Sequence, residues 1–303
     1  MSIDFRPARA DDLQPAQELV VRSINDLTER HGFGPMATVR PPDFQLFSLK
    51  DDPDGLWVAE ANGDIIGCAL SWVCGELWFL AELFVAPGRQ GRGVGNELLA
   101  RTFAHATKAG ATNKSLITFT FNVVSQGLYI RHGLLPRLPI YLCSVARDAL
   151  ASHLQEKKLH TRPIEPTASH LGTLVQLDVS TLGVSREKHH RYLLNDSAMK
   201  GVFLYDGAEC MGYAYVSATG HVGPVAVSQA KAMGSAFRTA LDLALDLARV
   251  GGAAQISAFL PGTSEAMRIA VEQRMRIAFP MVLLSTRDFG DWTRYLPRNP
   301  GFM

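Results

Sequence analysis

The 303-residue chain has almost no excess charge of either sign: 30 basic against 29 acidic residues leave a net charge of +1. So close a balance provides no global attraction to nucleic acid or to an anionic membrane, and partners of those kinds are not expected. A run of about 18 apolar residues, the minimum for a membrane-spanning helix, is missing. The first residues, MSIDFRPARADD, are charged where a secretory leader would be apolar. Cysteine is scarce. Cys68, Cys74, Cys143 and Cys210 form no Cys-x-x-Cys pair, and they sit mostly in apolar, strand-like contexts where a reduced buried thiol is the default. A cytoplasmic protein fits these features. The nine histidines show no ligand spacing with cysteine, and His-Glu-x-x-His does not occur, so no metal is expected. Gly-x-Gly-x-x-Gly and Gly-x-x-x-x-Gly-Lys-Ser/Thr are both missing, which sets aside the dinucleotide fingerprint and the nucleotide P-loop.

Apolar sequence is plentiful, at 47% of residues, and it can fill the cores of two domains of ordinary size. The most informative stretch is Ala81 to Gly95, AELFVAPGRQGRGVG. The apolar run Leu83-Phe84-Val85 has strand character and stops at Pro87, which cannot donate a ladder hydrogen bond. A basic, Gly-rich loop follows, then helix formers from Asn96 to Arg101. Strand, Gly-rich loop and helix start make an anion-binding device, because free N–H groups and the helix dipole converge on one point. Glycine lets that backbone approach a phosphate closely. A surface turn that happens to be rich in Gly and Arg is the plainer alternative.

Around this stretch the pattern reads in order. A strand at 3–7 is followed by a helix capped by Asp11 or Asp12 and running to about Glu29. A short helix is expected at 44–49, with strands at 56–60, 65–73 and 76–85 and an Asn62-Gly63 hairpin turn between the first two. The helix after the loop runs to about Lys108. A strand at 115–121, a helix at 123–132 and a strand at 139–146 complete the half.

The loop pattern Gln90-x-x-Gly93-x-Gly95, preceded by Arg89, resembles the pyrophosphate-binding motif of the GNAT superfamily of acetyl-CoA-dependent N-acetyltransferases. The element order over residues 3–146 is similar to that fold as well. A second copy follows. Thr161-Arg162-Pro163-Ile164 echoes Phe5-Arg6-Pro7-Ala8, VFLYDGAECMGYA (202–214) echoes WVAEANGDIIGCA (57–69), and Gln229-x-x-Ala232-x-Gly234 echoes the loop. A helix at 236–250 and elements at 256–260, 264–273 and 281–286 complete the set. The expected fold is therefore mixed α/β: two tandem GNAT-like domains, each a largely antiparallel sheet flanked by helices. Their bounds are read as 1–147 and 159–303, with a polar linker at 148–158. The second copy has Ala232 where the loop needs its first Gly, and Ser228 and Lys231 stand for Arg89 and Arg92. It reads as degenerate.

Acyl transfer to an amine needs a base for the ammonium proton, donors for the thioester oxygen and a proton for the leaving thiolate. The resemblance points to Glu82 as the base. Alternation would put it on one face with Trp78, Leu80 and Phe84, where desolvation would raise its pKa. A Glu at a solvent-facing strand margin is the other reading. The segment from Asn122 through Tyr129 to Gly133 resembles the family pattern in which the Tyr hydroxyl reaches the CoA sulfur, so Tyr129 is the candidate acid; a helical Tyr packed in a core is the alternative. The resemblance places acetyl-CoA, as co-substrate, on Leu83, Phe84 and Val85, on the loop residues Arg89, Gln90, Gly91, Arg92, Gly93, Val94 and Gly95, and on Asn122 and Ser125. His31, Phe33, Phe44 and Phe47 lie where the family builds its acceptor pocket; loop aromatics covering a core edge are the alternative. His189-His190 reads as a polar helix face.

These features imply an N-acetyltransferase that moves an acetyl group directly from acetyl-CoA to a primary amine, with a small-molecule acceptor. A non-catalytic acyl-CoA-binding regulator and a protein lysine or N-terminal acetyltransferase are the alternatives. Monomer and homodimer both stay open.

Overall fold

In the computed structural model, which describes residues 2–151 and 159–303, an ion pair ties down the opening strand β1 (Asp4–Pro7). Arg6 reaches Asp12, ahead of helix α1 (Leu13–Arg30), at 2.6 Å, and Glu60 at 2.7 Å. Asp11 or Asp12 was expected to cap α1; Asp12 stands at the N-cap and makes no side-chain cap bond. Its carboxylate is instead engaged by the Arg6 guanidinium and by the main-chain N–H of Arg9 at 2.7 Å. Helix α2 (Asp43–Asp51) leads to β2 (Leu56–Ala61) and β3 (Asp64–Cys74). Between these strands Asn62 and Gly63 both take positive φ, 54° and 85°, as a two-residue hairpin turn requires. Then come β4 (Leu77–Val85), α3 (Val94–Lys108), β5 (Asn113–Phe119) and α4 (Val123–Arg131). Strands β1 to β4 pair antiparallel in sequence order, and β5 joins β4 in parallel.

The same order recurs. Strand β6 (Leu135–Ala146) and helix α5 (Arg147–Ala151) precede β7 (His160–Pro163), α6 (Ala168–Leu182), α7 (Glu187–Asn195), β8 (Met199–Asp206), β9 (Glu209–Ser217) and β10 (His221–Val227). Helix α8 (Met233–Gly251), β11 (Gln255–Pro261), α9 (Glu265–Glu272), β12 (Arg276–Ser285) and the short β13 (Tyr295–Leu296) follow. Strands β7 to β10 are antiparallel and β11 joins β10 in parallel. The fold is mixed α/β, and each of the two similar runs of strands is largely antiparallel and flanked by helices. Most of the linker expected at 148–158 lies outside the described residues; its first part, Asp148 to Ala151, is in α5. No helix among the described residues is long and apolar enough to cross a membrane.

Two compact units are formed, Met1–Leu135 with Leu284–Arg287, and Pro136–Leu283 with Asp288–Met303. Each contains a segment distant in sequence. In the second unit β6 pairs antiparallel with β11, from Ile140↔Pro261 to Ala146↔Gln255. In the first, Leu284–Arg287 lies along the start of β5. Thr286 donates its N–H to the Lys114 carbonyl at 2.9 Å, and Ser115 Oγ donates to the Leu284 carbonyl at 2.9 Å. Asn113 organises this junction from a buried position. Its Oδ1 accepts from Thr286 Oγ1 at 2.9 Å and Arg287 N at 3.0 Å, and its Nδ2 donates to the Arg287 carbonyl at 3.2 Å. Asn113→Ala strands these partners in a part-buried place, so it is expected to lower unfolding stability by about 2–4 kcal/mol. A denaturant titration of the full chain checks this.

Candidate active site

The site of the first unit starts where β4 and β5 part. Their parallel register runs from Leu77↔Asn113 to Leu80↔Leu116 and stops. On its other edge β4 stays paired with β3 as far as Val85↔Gly67. Beyond Leu80, therefore, no strand among the described residues continues along the β5-side edge of β4. That edge leads into the Gly-rich loop. Gln90 Nε2 donates to the Val85 carbonyl at 3.1 Å and fastens the loop to the strand end. Gly91 and Gly93 are left-handed, with φ of 74° and 83°, and alternating left-handed residues turn successive N–H groups toward one point. A Cβ built at either glycine would meet nothing within 4 Å. Gly93 is also the N-cap of α3, which begins at Val94 rather than at the expected Asn96. Arg92 is exposed between the two glycines and Arg89 is half-buried. A Cβ built on Gly95 would sit 3.7 Å from Val85 Cγ2 and 3.9 Å from Leu128 Cδ2, so the strand end, the first turn of α3 and helix α4 converge there.

Glu82 does not lie where alternation puts it. The β3–β4 register steps from Leu80↔Ser71 to Glu82↔Leu70, leaving Ala81 as an extra residue in a bulge. Residues directly opposite in an antiparallel pair share a face, so Leu80 and Glu82 are on opposite faces. Trp78 faces α3, its ring 5.1 Å from Phe103, and Ser71 bonds His105 of α3 at 3.0 Å. Past the bulge, Phe84 packs with Ala16, Leu19 and Val20 of α1, and Glu82 turns to the same side. There its Oε1 accepts a 2.6 Å hydrogen bond from Gln45 Nε2 of α2, which also lies 3.1 Å from Gln17 Oε1 of α1. The expected grouping of Glu82 with Trp78 and Leu80 is thus corrected, and only Phe84 remains its face-mate. Burial pushes the Glu82 carboxyl up to about 7, against the opposing pull of the Gln45 bond.

Tyr129 lies on α4, buried, and burial drives its hydroxyl pKa well above the usual value. Asn122 is the N-cap of that helix, its Oδ1 accepting from Ser125 N at 3.2 Å. Capping would have predicted this pair without any ligand. Of the acceptor-side candidates, Phe33 stacks on Phe121 at 4.8 Å and His31 lies tilted against it at 4.9 Å, while Phe44 and Phe47 stack on each other at 6.2 Å. Gln45 and Gln17 were missed in the sequence. The one available signal was a lone amide within the apolar run of α2, Phe44-Gln45-Leu46-Phe47.

The second unit treats the matching features differently. Its loop forms a 3-10 turn, Ala230–Ala232, that runs straight into α8. None of residues 228–234 is left-handed, and Ala232 and Met233 are buried. Strands β10 and β11 pair only at His221↔Ser257 and Val222↔Ala258. The edge of β10 that then opens is taken by β13, at Val225↔Leu296 and Ala226↔Tyr295. A buried network holds this segment. Arg186 Nη1 donates to the Met303 main-chain oxygen at 2.7 Å, Tyr295 OH donates to the same oxygen at 2.8 Å, and Asp178 pairs with Arg186 at 3.1 Å and with Tyr213 OH at 2.5 Å. His190, read as part of a polar helix face, is buried in this network, 3.0 Å from both Asp178 and Tyr215. His189 is buried as well.

Fold and site together define a tandem of two units of one architecture, the first open at the parted strands and the second filled there. Residues 21–134, all within the first unit, match the model of the acetyltransferase (GNAT) family. It is 35% identical over 69 residues to an uncharacterized N-acetyltransferase of Methanocaldococcus jannaschii; the match takes in 20% of this chain, which spans 30% of that relative's length. A putative acetyltransferase from Pyrococcus horikoshii has a similar structure, with a TM-score of 0.77 at 14% identity, covering 99% of this chain and 96% of that one. A tandem GNAT protein from the clavulanic acid biosynthesis pathway gives a TM-score of 0.63 at 16% identity, covering 94% and 98%. At such identities these two likenesses are of fold.

The raised pKa of Glu82 has a stability consequence whatever its role. Between the ordinary carboxyl value of 4.5 and about 7 the folded state holds a proton that the unfolded chain releases. Stability therefore falls as pH rises through this window, and the burial cost of the charge is fully felt above it. Glu82→Gln, which has no charge to bury, is expected to be more stable than wild type at about pH 8 and nearly equal to it at about pH 4. Urea midpoints measured at both pH values check the sign.

Proposed function

We propose that the first unit is an N-acetyltransferase that moves an acetyl group from acetyl-CoA directly to a primary amine. One observation carries this reading: the free edge of β4 runs without interruption into a left-handed glycine loop at the start of α3. Backbone N–H groups of Leu83 to Val85 suit a pantetheine arm, and the loop from Arg89 to Gly95 suits a pyrophosphate. Asn122 and Ser125, at the start of α4, are assigned to the pantetheine arm on the same reading. Acetyl-CoA supplies the reactive thioester when bound. Glu82 takes the proton of the incoming ammonium at its carboxylate, and a pKa of about 7 leaves it partly ionised near neutrality. Tyr129, whose hydroxyl burial keeps protonated, gives a proton to the departing sulfur. Holding both substrates together removes the need for a covalent enzyme intermediate.

On this reading the halves of the sequence, 1–147 and 159–303, have different roles. The second binds no CoA, because β13 occupies the matching edge and its loop lacks left-handed residues. Titration of the full chain with acetyl-CoA is expected to give a stoichiometry near one, and Gly93→Asp to abolish binding by placing a carboxylate in the phosphate cradle. A stoichiometry near two, with one site surviving that substitution, would overturn the assignment of the second half. Thiol release from acetyl-CoA across a panel of primary amines tests the activity; tight binding with no release for any amine would favour a regulator. Tyr129→Phe is expected to lower kcat about 10²-fold with little change in acetyl-CoA affinity. A kcat within a few-fold of wild type, with chemistry rate-limiting, would return Tyr129 to packing.

A further inference from the structure

Glu82 is held from two helices. Gln45 of α2 lies 2.6 Å from its Oε1, in a part-buried place, across 37 residues of sequence. The amide nitrogen of Gln45 also lies 3.1 Å from Gln17 Oε1 of α1. Both neighbours are acceptors, so the amide has one acceptable orientation; flipped, its oxygen would face two oxygens. Among the described residues nothing is bonded to Oε2 of Glu82. One carboxylate oxygen is thus pinned and the other is left for a proton.

We infer that Gln45 is a positioning residue for the Glu82 base, with Gln17 fixing the orientation of Gln45 in turn. The inference rests on the reading of Glu82 as the base. A neutral donor suits this task. Lys or Arg in its place would pull the carboxyl pKa down by an opposite charge, whereas one amide bond orients the group and leaves it able to bind a proton near neutrality. The neighbours of Glu82 are few. On β3, Leu70 is directly opposite it, and Cys68, opposite Phe84 on the same face, is a thiol whose pKa burial and the Glu82 charge both raise. On β4 its face-mate is Phe84, α1 presents Gln17, and α2 presents Gln45. No charged side chain among the described residues is bonded to Glu82.

The test uses the full chain and two readouts. The carboxyl titration is followed by carbon-13 spectra of glutamate-labelled protein, with Glu82→Gln identifying the resonance. The pH profile of kcat/KM is followed as thiol release with the best amine of the panel. In wild type both should turn near the same pH, and Glu82→Gln should remove both transitions. Gln45→Leu is expected to raise both midpoints by about one unit, a tenfold change in ionisation, because a bond to the charged form has been removed. It should also lower the high-pH plateau of kcat several-fold while leaving acetyl-CoA affinity in place. Gln17→Leu should move the midpoints in the same direction by less, and it carries the test if Gln45→Leu fails to fold. Unmoved midpoints and an unchanged plateau would overturn the inference about Gln45. An acid limb that persists in Glu82→Gln would instead overturn the base assignment.

Discussion

One extra residue decides to which side of β4 the Glu82 carboxylate turns. A strand without the Ala81 bulge would continue the alternation of Trp78 and Leu80, and Glu82 would point into the packing against α3. The bulge reverses the faces, so the carboxylate emerges toward α1 and α2, next to two amides. It also lies just past the last β4–β5 pair, Leu80↔Leu116. Bulges re-aim side chains and interrupt pairing, and here both effects fall within two residues. The apolar side chains beyond it remain useful in their new orientation. Leu83 and Val85 pack with Val94 and Leu98, and Phe84 packs with α1, so the strand is anchored on both faces while its β5-side edge is free.

The two units solve the same geometric problem differently. A parallel pair inside an otherwise antiparallel sheet leaves a gap where the strands diverge, and backbone groups in that gap need partners. In the second unit the chain supplies them, with β13 against β10, Val227 N donating to the Arg294 carbonyl at 3.0 Å, and Arg294 Nη1 donating to the Ser228 carbonyl at 2.9 Å. Ser228 is the counterpart of Arg89, so the position that offers a cation in one loop is held by a cation in the other. The Asp178–Arg186 pair is fully buried, and such a pair is tolerated only when its other hydrogen-bonding capacity is met. Tyr213, His190 and the Met303 oxygen meet it.

Much of this was readable in advance, for physical reasons that differ by element. The Asn62-Gly63 turn, the apolar strands and the loop glycines are local signals, and the structure has them where the pattern puts them. The duplication was visible because it repeats many weak signals in register. What was not visible depends on partners distant in sequence. A period of two says nothing about a single inserted residue, so Glu82 was assigned to the wrong face. Asp12 carries a good capping side chain, but Arg6 competes for it and wins. His189 and His190 look like a polar face until α7 is seen packed inward. β13 is two residues in an irregular tail with Pro297 and Pro300 nearby, and no periodicity announces it. Gln45 has meaning only once Glu82 has been turned toward it.

The filled gap of the second unit places the units in different thermodynamic regimes. An occupant tethered to the chain is present at fixed effective concentration, so the contribution of β13 to stability is independent of anything dissolved around the protein. An open site has no such constancy. Any molecule that binds only the folded form stabilises it by an amount that grows with the logarithm of its concentration. On the proposed function the firmness of the first unit is therefore coupled to the supply of acetyl-CoA, whereas the contribution of β13 to the second is not. Under that proposal the duplicated fold joins, in one polypeptide, a part whose stability follows the metabolic state and a part held by its own tethered strand.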